Sequence, residues 1–169
     1  AFLAAFDEGD RVALARPGYP AYRNSLRALG CEVVELATDG TTRFQPTVEL
    51  LEQLDEPVQG LIVASPANPT GTVLSRDELA GLAEWCQRNG VQLVSDEIYH
   101  GLSYTGQLHT AWEFSREAIV VNSFSKYWCM TGWRLGWMLV PERLRRAVDT
   151  LTGNFTLCPP ALSQHAALA

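Results

Sequence analysis

Six short apolar runs, at residues 11–15, 32–36, 60–64, 92–95, 118–122 and 136–140, punctuate the chain, and helical patterns fill the intervals between them. That alternation is the signature of an α/β domain built on a mostly parallel sheet with helices on both faces. Several of the runs are nearly continuous Val, Ile and Leu, the composition of strands covered on both sides. The clearest helix starts at Ser75-Arg-Asp-Glu78, a capping box in which Ser75 and Glu78 satisfy each other's free amides, and Gly90 ends it. Gly30 closes a helix that begins near Pro20, Gly9 closes an opening apolar helix, and Pro141 stands where a first helical turn begins. With 169 residues, 47% of them hydrophobic, the chain has enough apolar surface for one substantial core. It contains no internal repeat, low-complexity segment or flexible linker.

The formal net charge of -6 argues against nucleic acid or an anionic membrane as the main partner, since both require clustered positive charge. No apolar run approaches the roughly 20 residues needed to span a bilayer. Cys31, Cys86, Cys129 and Cys158 are widely spaced without a C-x-x-C pair, so neither a disulfide framework nor a metal site is expected. A reducing, cytoplasmic setting is the default. The chain opens on AFLAAF without an initiator Met and stops inside QHAALA, another helical pattern, so it is expected to be a piece of a longer protein.

In open α/β sheets, ligands bind beyond the carboxyl ends of the strands. The conspicuous polar clusters follow strands here: Pro17-Gly-Tyr19 after the first, Ser65-Pro-Ala-Asn-Pro-Thr-Gly71 after the third, Ser95-Asp-Glu-Ile-Tyr99 after the fourth and Ser123-Phe-Ser-Lys126 after the fifth. They are expected to converge on one edge. Asp96, at the rim of an apolar strand, suits pairing with a heteroaromatic nitrogen, although an Asp after a strand also caps turns. Tyr99 could then donate its phenol to a ring oxygen. The prolines and glycine of residues 65–71 stiffen a loop that would fix the Asn68 side chain, while Asn before Pro is equally a turn starter. Tyr19 offers a ring for stacking on a planar cofactor, or for packing on the sheet edge. Tyr22 is read as packing there.

The most specific segment is residues 122–134. Lys126 is the only lysine, the other twelve of the thirteen Lys and Arg residues being Arg. A buried lysine can become a neutral nucleophile, which suits a Schiff-base amine. Arg134 would grip a phosphate with its two-pronged guanidinium, and Ser123 and Ser125 can add hydroxyl donors. Trp128, Met130, Trp133 and Trp137 are read as core or wall. Ser123-x-x-Lys126 also matches the serine–lysine pair of β-lactamase-like enzymes, but the companion Ser-Asp-Asn and Lys-Thr-Gly motifs are missing.

Through RPGYPAYRN, SPANPTG, SDEIYHGLSY and NSFSKYWCMTGWRLGW, in that order, the chain resembles the class I/II aminotransferases, fold-type I enzymes dependent on pyridoxal 5'-phosphate (PLP). The resemblance extends from about Arg11 to Pro160. It implies that Lys126 is the Schiff-base lysine and proton shuttle, and that Asp96 pairs with the pyridine nitrogen. It further implies that Tyr99 and Asn68 hydrogen-bond the ring's phenolic oxygen and that Tyr19 stacks on the ring. Ser123, Ser125 and Arg134 are implied phosphate ligands. Lys126, Asp96 and Tyr99 are thus the expected catalytic residues. Trp128 is bulkier than the family's usual residue near that position.

The same resemblance describes residues 1–169 as a partial PLP-binding large domain, inactive alone. A phosphate-binding helix N-terminus would lie upstream of Ala1, a C-terminal small domain would carry the substrate-carboxylate arginine, and a central first strand of the sheet would be missing. It implies a homodimer in the full-length protein, with residues 154–164 near the interface, and an L-amino acid and a 2-oxo acid as substrates. Two other activities use a similar site. A PLP-dependent carbon–sulfur lyase or related synthase shares the cofactor cradle, and a transcription regulator can carry a non-catalytic PLP-sensing domain. A plain α/β binding domain without cofactor would need the loops to coincide by chance.

Overall fold

Successive side chains leave a strand on opposite faces, and in the central strands of this chain both sets are apolar. The computed structural model describes residues 1–104 and 106–169. Its strands are β1 (Arg11–Arg16), β2 (Glu32–Ala37), β3 (Gly60–Ala64), β4 (Gln92–Asp96), β5 (Ile119–Ser123) and β6 (Gly136–Leu139). These are the six expected runs, shifted by no more than one residue at any end. Val12, Leu14, Ile62, Val94 and Ile119 turn to one face, where they pack with Leu26, Leu144 and Phe6. Ala13, Leu61, Val63, Leu93 and Val120 turn to the other, against Leu51, Leu79, Leu82 and Trp85. Each fully buried aliphatic side chain contributes about 1.5–3 kcal/mol relative to exposure, so two filled faces hold the sheet between its helices.

The first layer comes from α1 (Phe2–Ala5), α2 (Pro20–Ala28) and α5 (Glu142–Phe155), the second from α3 (Val48–Glu52) and α4 (Arg76–Asn89); α6 (Ala161–Leu168) follows. The architecture is the expected α/β layering with a mostly parallel sheet. Helix α4 has the predicted capping box, with Ser75 Oγ accepting from the Glu78 amide at 3.3 Å and Glu78 Oε2 accepting from the Ser75 amide at 2.7 Å. Gly90 ends it in the left-handed region at φ 67°. The opening helix departs from expectation. It stops at Ala5 because Phe6 turns extended to put its ring into the core, over Gly60, where any Cβ would collide with it. Gly9 lies in the turn beyond.

The sheet order is β2-β1-β3-β4-β5-β6, with only β5 and β6 antiparallel. Hydrogen bonding runs unbroken across it, so the expected gap for a central strand does not exist; a further strand could join only at the outer edge of β2 or β6. The order reverses between β1 and β3, which makes a crevice at their carboxyl ends, as in other open α/β sheets. The loops after β1, β3, β4 and β5 all open on that edge. Because β6 returns antiparallel, with Gly136 opposite Ser123, Arg134 comes back beside the end of β5.

Candidate active site

The eight side chains singled out in the sequence, Tyr19, Asn68, Asp96, Tyr99, Ser123, Ser125, Lys126 and Arg134, line one cavity of about 270 Å³ at the carboxyl edge. Tyr22, Ile98 and Thr131 complete its wall. A larger cavity, of about 660 Å³, lies at the opposite end of the strands between residues 51–58 and the end of α4. Its wall offers no lysine, histidine or hydroxyl, so the smaller cavity is the chemically equipped one.

Asp96 serves in two ways at once. Its Oδ1 accepts from the Ile98 amide at 3.0 Å, the turn cap that strand-end aspartates often make, and its Oδ2 accepts from the Tyr22 hydroxyl. Tyr22 was expected only to pack on the sheet edge, and here the structure differs. Tyr19 caps the N-terminus of α2 and Tyr22 follows three residues later on the same side, so the rings meet edge-on with centroids 5.4 Å apart. That spacing across a Pro-started helix is the signal that identifies Tyr22. Burial first, and then the Asp96 charge and hydrogen bond, raise the Tyr22 hydroxyl far above the ordinary tyrosine value.

An unfolded tyrosine ionises near pH 10, whereas folded Tyr22 keeps its proton beyond that point. The stability it contributes is complete below about pH 10 and is lost as the pH rises further, because the folded state then binds more protons than the unfolded one. Tyr22→Phe is expected to remove this part of the alkaline decline. Urea unfolding between about pH 8 and 11 checks this effect.

The loop after β3 is braced from within. The Gly71 amide donates to the Ala67 carbonyl at 2.8 Å, the Ala67 amide to Thr72 at 2.9 Å, and buried Ser65 Oγ accepts from the Leu74 amide at 2.9 Å. From below, buried Gln45 donates to the carbonyls of Ala64 and Thr72 at 3.2 and 3.1 Å, a support that no local pattern announced. The bonds preceding Pro66 and Pro69 are cis, as is Arg16–Pro17. Asn68 Nδ2 ends 3.5 Å from the Tyr99 hydroxyl, so two donors aim at one region.

Lys126 is half-buried, three residues beyond β5, with Nζ 5.7 Å from the centre of the Tyr99 ring. Thr131 Oγ1 donates to the Ser125 carbonyl at 2.7 Å and the Cys129 amide to the Lys126 carbonyl at 3.1 Å, closing a tight turn around the lysine. Gly101, at φ 94°, lies so close to the neighbouring Tyr127 ring that a side chain there would clash. Ser123 Oγ stands 2.9 Å from Ser125 Oγ and 3.0 Å from the Leu135 carbonyl. Arg134 adopts left-handed backbone (φ 52°, ψ 49°), a conformation that costs an ordinary residue about 1–3 kcal/mol and gathers at functional sites. Its guanidinium is exposed, donates to the Thr131 carbonyl at 2.9 Å, and pairs with no carboxylate among the described residues.

Three of the tryptophans, Trp128, Trp133 and Trp137, are not core. Trp128, Trp133 and Trp137 are 45%, 45% and 39% exposed, and Trp128 and Trp137 cluster with Phe124 on the outer side of β6. The reason is the antiparallel return of β6 to the sheet edge, where no helix of the described residues covers it. Among the described residues no group of His, Cys, Asp and Glu is arranged to hold a metal ion, and no helix is long and apolar enough to cross a membrane.

A family profile described as aminotransferase class I and II matches residues 1–169. Valine–pyruvate aminotransferase of Mycobacterium tuberculosis is 65% identical over 171 residues, which take in 100% of this chain and 44% of that protein. A crystal structure of an aminotransferase from Mycobacterium tuberculosis superposes with a TM-score of 0.94 at 65% identity, covering 98% of this chain and 46% of that one. Aspartate aminotransferase of Thermus thermophilus with maleate superposes at 0.93 with 34% identity, over 98% of this chain and 44% of that one. The chain thus spans less than half the length of these relatives, and the loops that line its cavity are part of the shared fold. The chain belongs to the class I and II aminotransferases.

Proposed function

We propose that the full-length protein is a PLP-dependent aminotransferase that moves an amino group between an L-amino acid and a 2-oxo acid. One observation carries this reading: a carboxylate, an amine, two aimed neutral donors and an unpaired guanidinium share a single cavity of about 270 Å³. That donor set matches PLP part by part. Asp96 answers a ring nitrogen, Asn68 and Tyr99 answer a ring oxygen, and Ser123, Ser125 and Arg134 answer a phosphate. When bound, PLP supplies an electrophilic carbon for amino groups and a ring that accepts electron density.

The protein's residues do the rest. Lys126 would hold the cofactor through its amine and, once that amine is free, would carry the proton taken from the substrate α-carbon. Asp96 would hold a proton on the ring nitrogen, and the Tyr22 hydroxyl donates to the Asp96 oxygen that would face it. Tyr19, nearly half exposed at the cavity mouth, is the stacking ring. The Ser123–Ser125 hydroxyl pair and the Arg134 fork bind and orient the phosphate.

We further infer that residues 1–169 are a partial large domain of a longer homodimeric protein whose small domain lies outside this chain. The coverage of 44% of the Mycobacterium tuberculosis relative favours this. So do Phe155, Leu157 and Leu162, exposed at 73%, 78% and 78% across the end of α5 and the start of α6, which suit a subunit contact near residues 154–164. The name of that relative makes valine and pyruvate the first substrates to assay. Keto-acid-dependent amino transfer by the full-length protein supports the proposal. Pyruvate release from a sulfur amino acid without transfer would assign the lyase branch. Cofactor binding with neither activity would assign a sensing role.

A further inference from the structure

Glu97, between two cavity residues, points away from the cavity and is 2% exposed. Its Oε1 accepts from Ser95 Oγ at 3.0 Å, from Thr110 Oγ1 at 3.0 Å and from the Ala111 amide at 2.9 Å. Its Oε2 faces His100 Nδ1 at 3.5 Å. On the main chain, the Glu97 amide donates to Val121 in β5 at 2.8 Å and its carbonyl accepts from the His100 amide at 2.9 Å. One carboxylate therefore ties the end of β4, the turn after it, and a segment 13 and 14 residues further along. A buried charge is retained only where donors surround it, and none of these donors belongs to the cavity wall.

We propose that Glu97 is a positioning residue of the active site, whose carboxylate clamps the turn carrying Asp96 and Tyr99 against residues 110–111. It rests on the reading that Asp96 and Tyr99 face the cofactor ring. The geometry gives the clamp a direction. Ser95 precedes Asp96 on the strand, and the Ile98 amide that holds Asp96 Oδ1 follows Glu97 directly. With Ser95, Glu97 and His100 fixed to one anchor, Asp96 and Tyr99 have little freedom to swing. Released, the turn lets both side chains drift, and displacement of a group that orients a ligand typically costs on the order of 10- to 100-fold in activity or affinity.

The test uses the full-length protein with Glu97→Ala and Glu97→Gln. Gln keeps one acceptor oxygen and the side-chain volume, so it preserves folding if Ala does not. Amide hydrogen exchange is followed at Ile98, His100 and Ala111, with α4 as the internal control, alongside PLP affinity, kcat and KM. Glu97→Gln is expected to speed exchange at those three amides roughly tenfold or more with α4 unchanged, to weaken PLP binding, and to lower kcat by about 10-fold with a smaller change in KM. Wild-type exchange rates at those amides, or an equal rise through α4, would overturn the clamp. So would faster local exchange with unchanged PLP affinity and kcat in an enzyme whose wild type binds PLP. A wild type that binds no PLP while the variant still loosens the turn would count against the cofactor reading and leave the clamp standing.

Discussion

Replacing Lys126 with alanine in the full-length protein is expected to lower amino transfer on the order of 10⁴-fold or more, the upper end of what one general base supplies, because attachment and proton transfer vanish together. Its amine lines the cavity and is the only lysine amine in the chain. The fold should hardly notice. The Lys126 side chain has no ion pair or hydrogen bond among the described residues, and its Nζ lies 5.7 Å from the centre of the Tyr99 ring. The change in unfolding free energy is expected within about 0.5 kcal/mol, the ordinary range of a substitution away from such features. Lys126→Arg should be equally inactive, since a guanidinium keeps the charge but does not release a proton near neutrality. Turnover rates and urea midpoints of the two variants check this. Substantial activity in either would remove Lys126 from the chemistry.

The second large effect is expected at Asp96. Asparagine in its place can still accept from the Ile98 amide through its carbonyl oxygen, while its Nδ2 donates to the Tyr22 hydroxyl, so the turn should persist. The negative charge is what disappears. With no anion to hold a proton on the ring nitrogen, kcat is expected to fall about 10²- to 10³-fold, comparable to losing a principal electrostatic contact in a transition state. Asp96→Glu keeps the charge and displaces it, so its loss should be smaller. Steady-state kinetics of the two variants, with circular dichroism to verify folding, make the comparison. Wild-type kcat in Asp96→Asn would mean that this carboxylate only caps its turn.

What could be read in advance follows from which interactions are local. The strands were legible because Val12, Ile62, Val94 and their alternating neighbours are apolar on both faces, which few other structures allow. Asn68, Asp96, Ser123 and Lys126 were legible because each sits just beyond such a run, and a parallel sheet carries all those ends to one edge. Tyr22 was misread, since an aromatic residue in a first helical turn resembles packing until the Asp96 oxygen is seen beside it. For the exposed tryptophans only the core half of the reading fails, because aromatic composition does not reveal that β6 is an edge strand. Glu97 and Gln45 carried no signal at all. Apart from Ser95 and His100 beside Glu97, their partners lie 13 to 27 residues away, and only the folded chain brings those into reach.

In the proposed function, the Lys126 amine is the point at which PLP would join the protein. The most direct measurement incubates the full-length protein with PLP, reduces it with borohydride, and maps the modified peptide by mass spectrometry. The expected result is a stable pyridoxyl group on Lys126, absent from Lys126→Ala. A modification on a different lysine of the longer chain, or none at all, would contradict it.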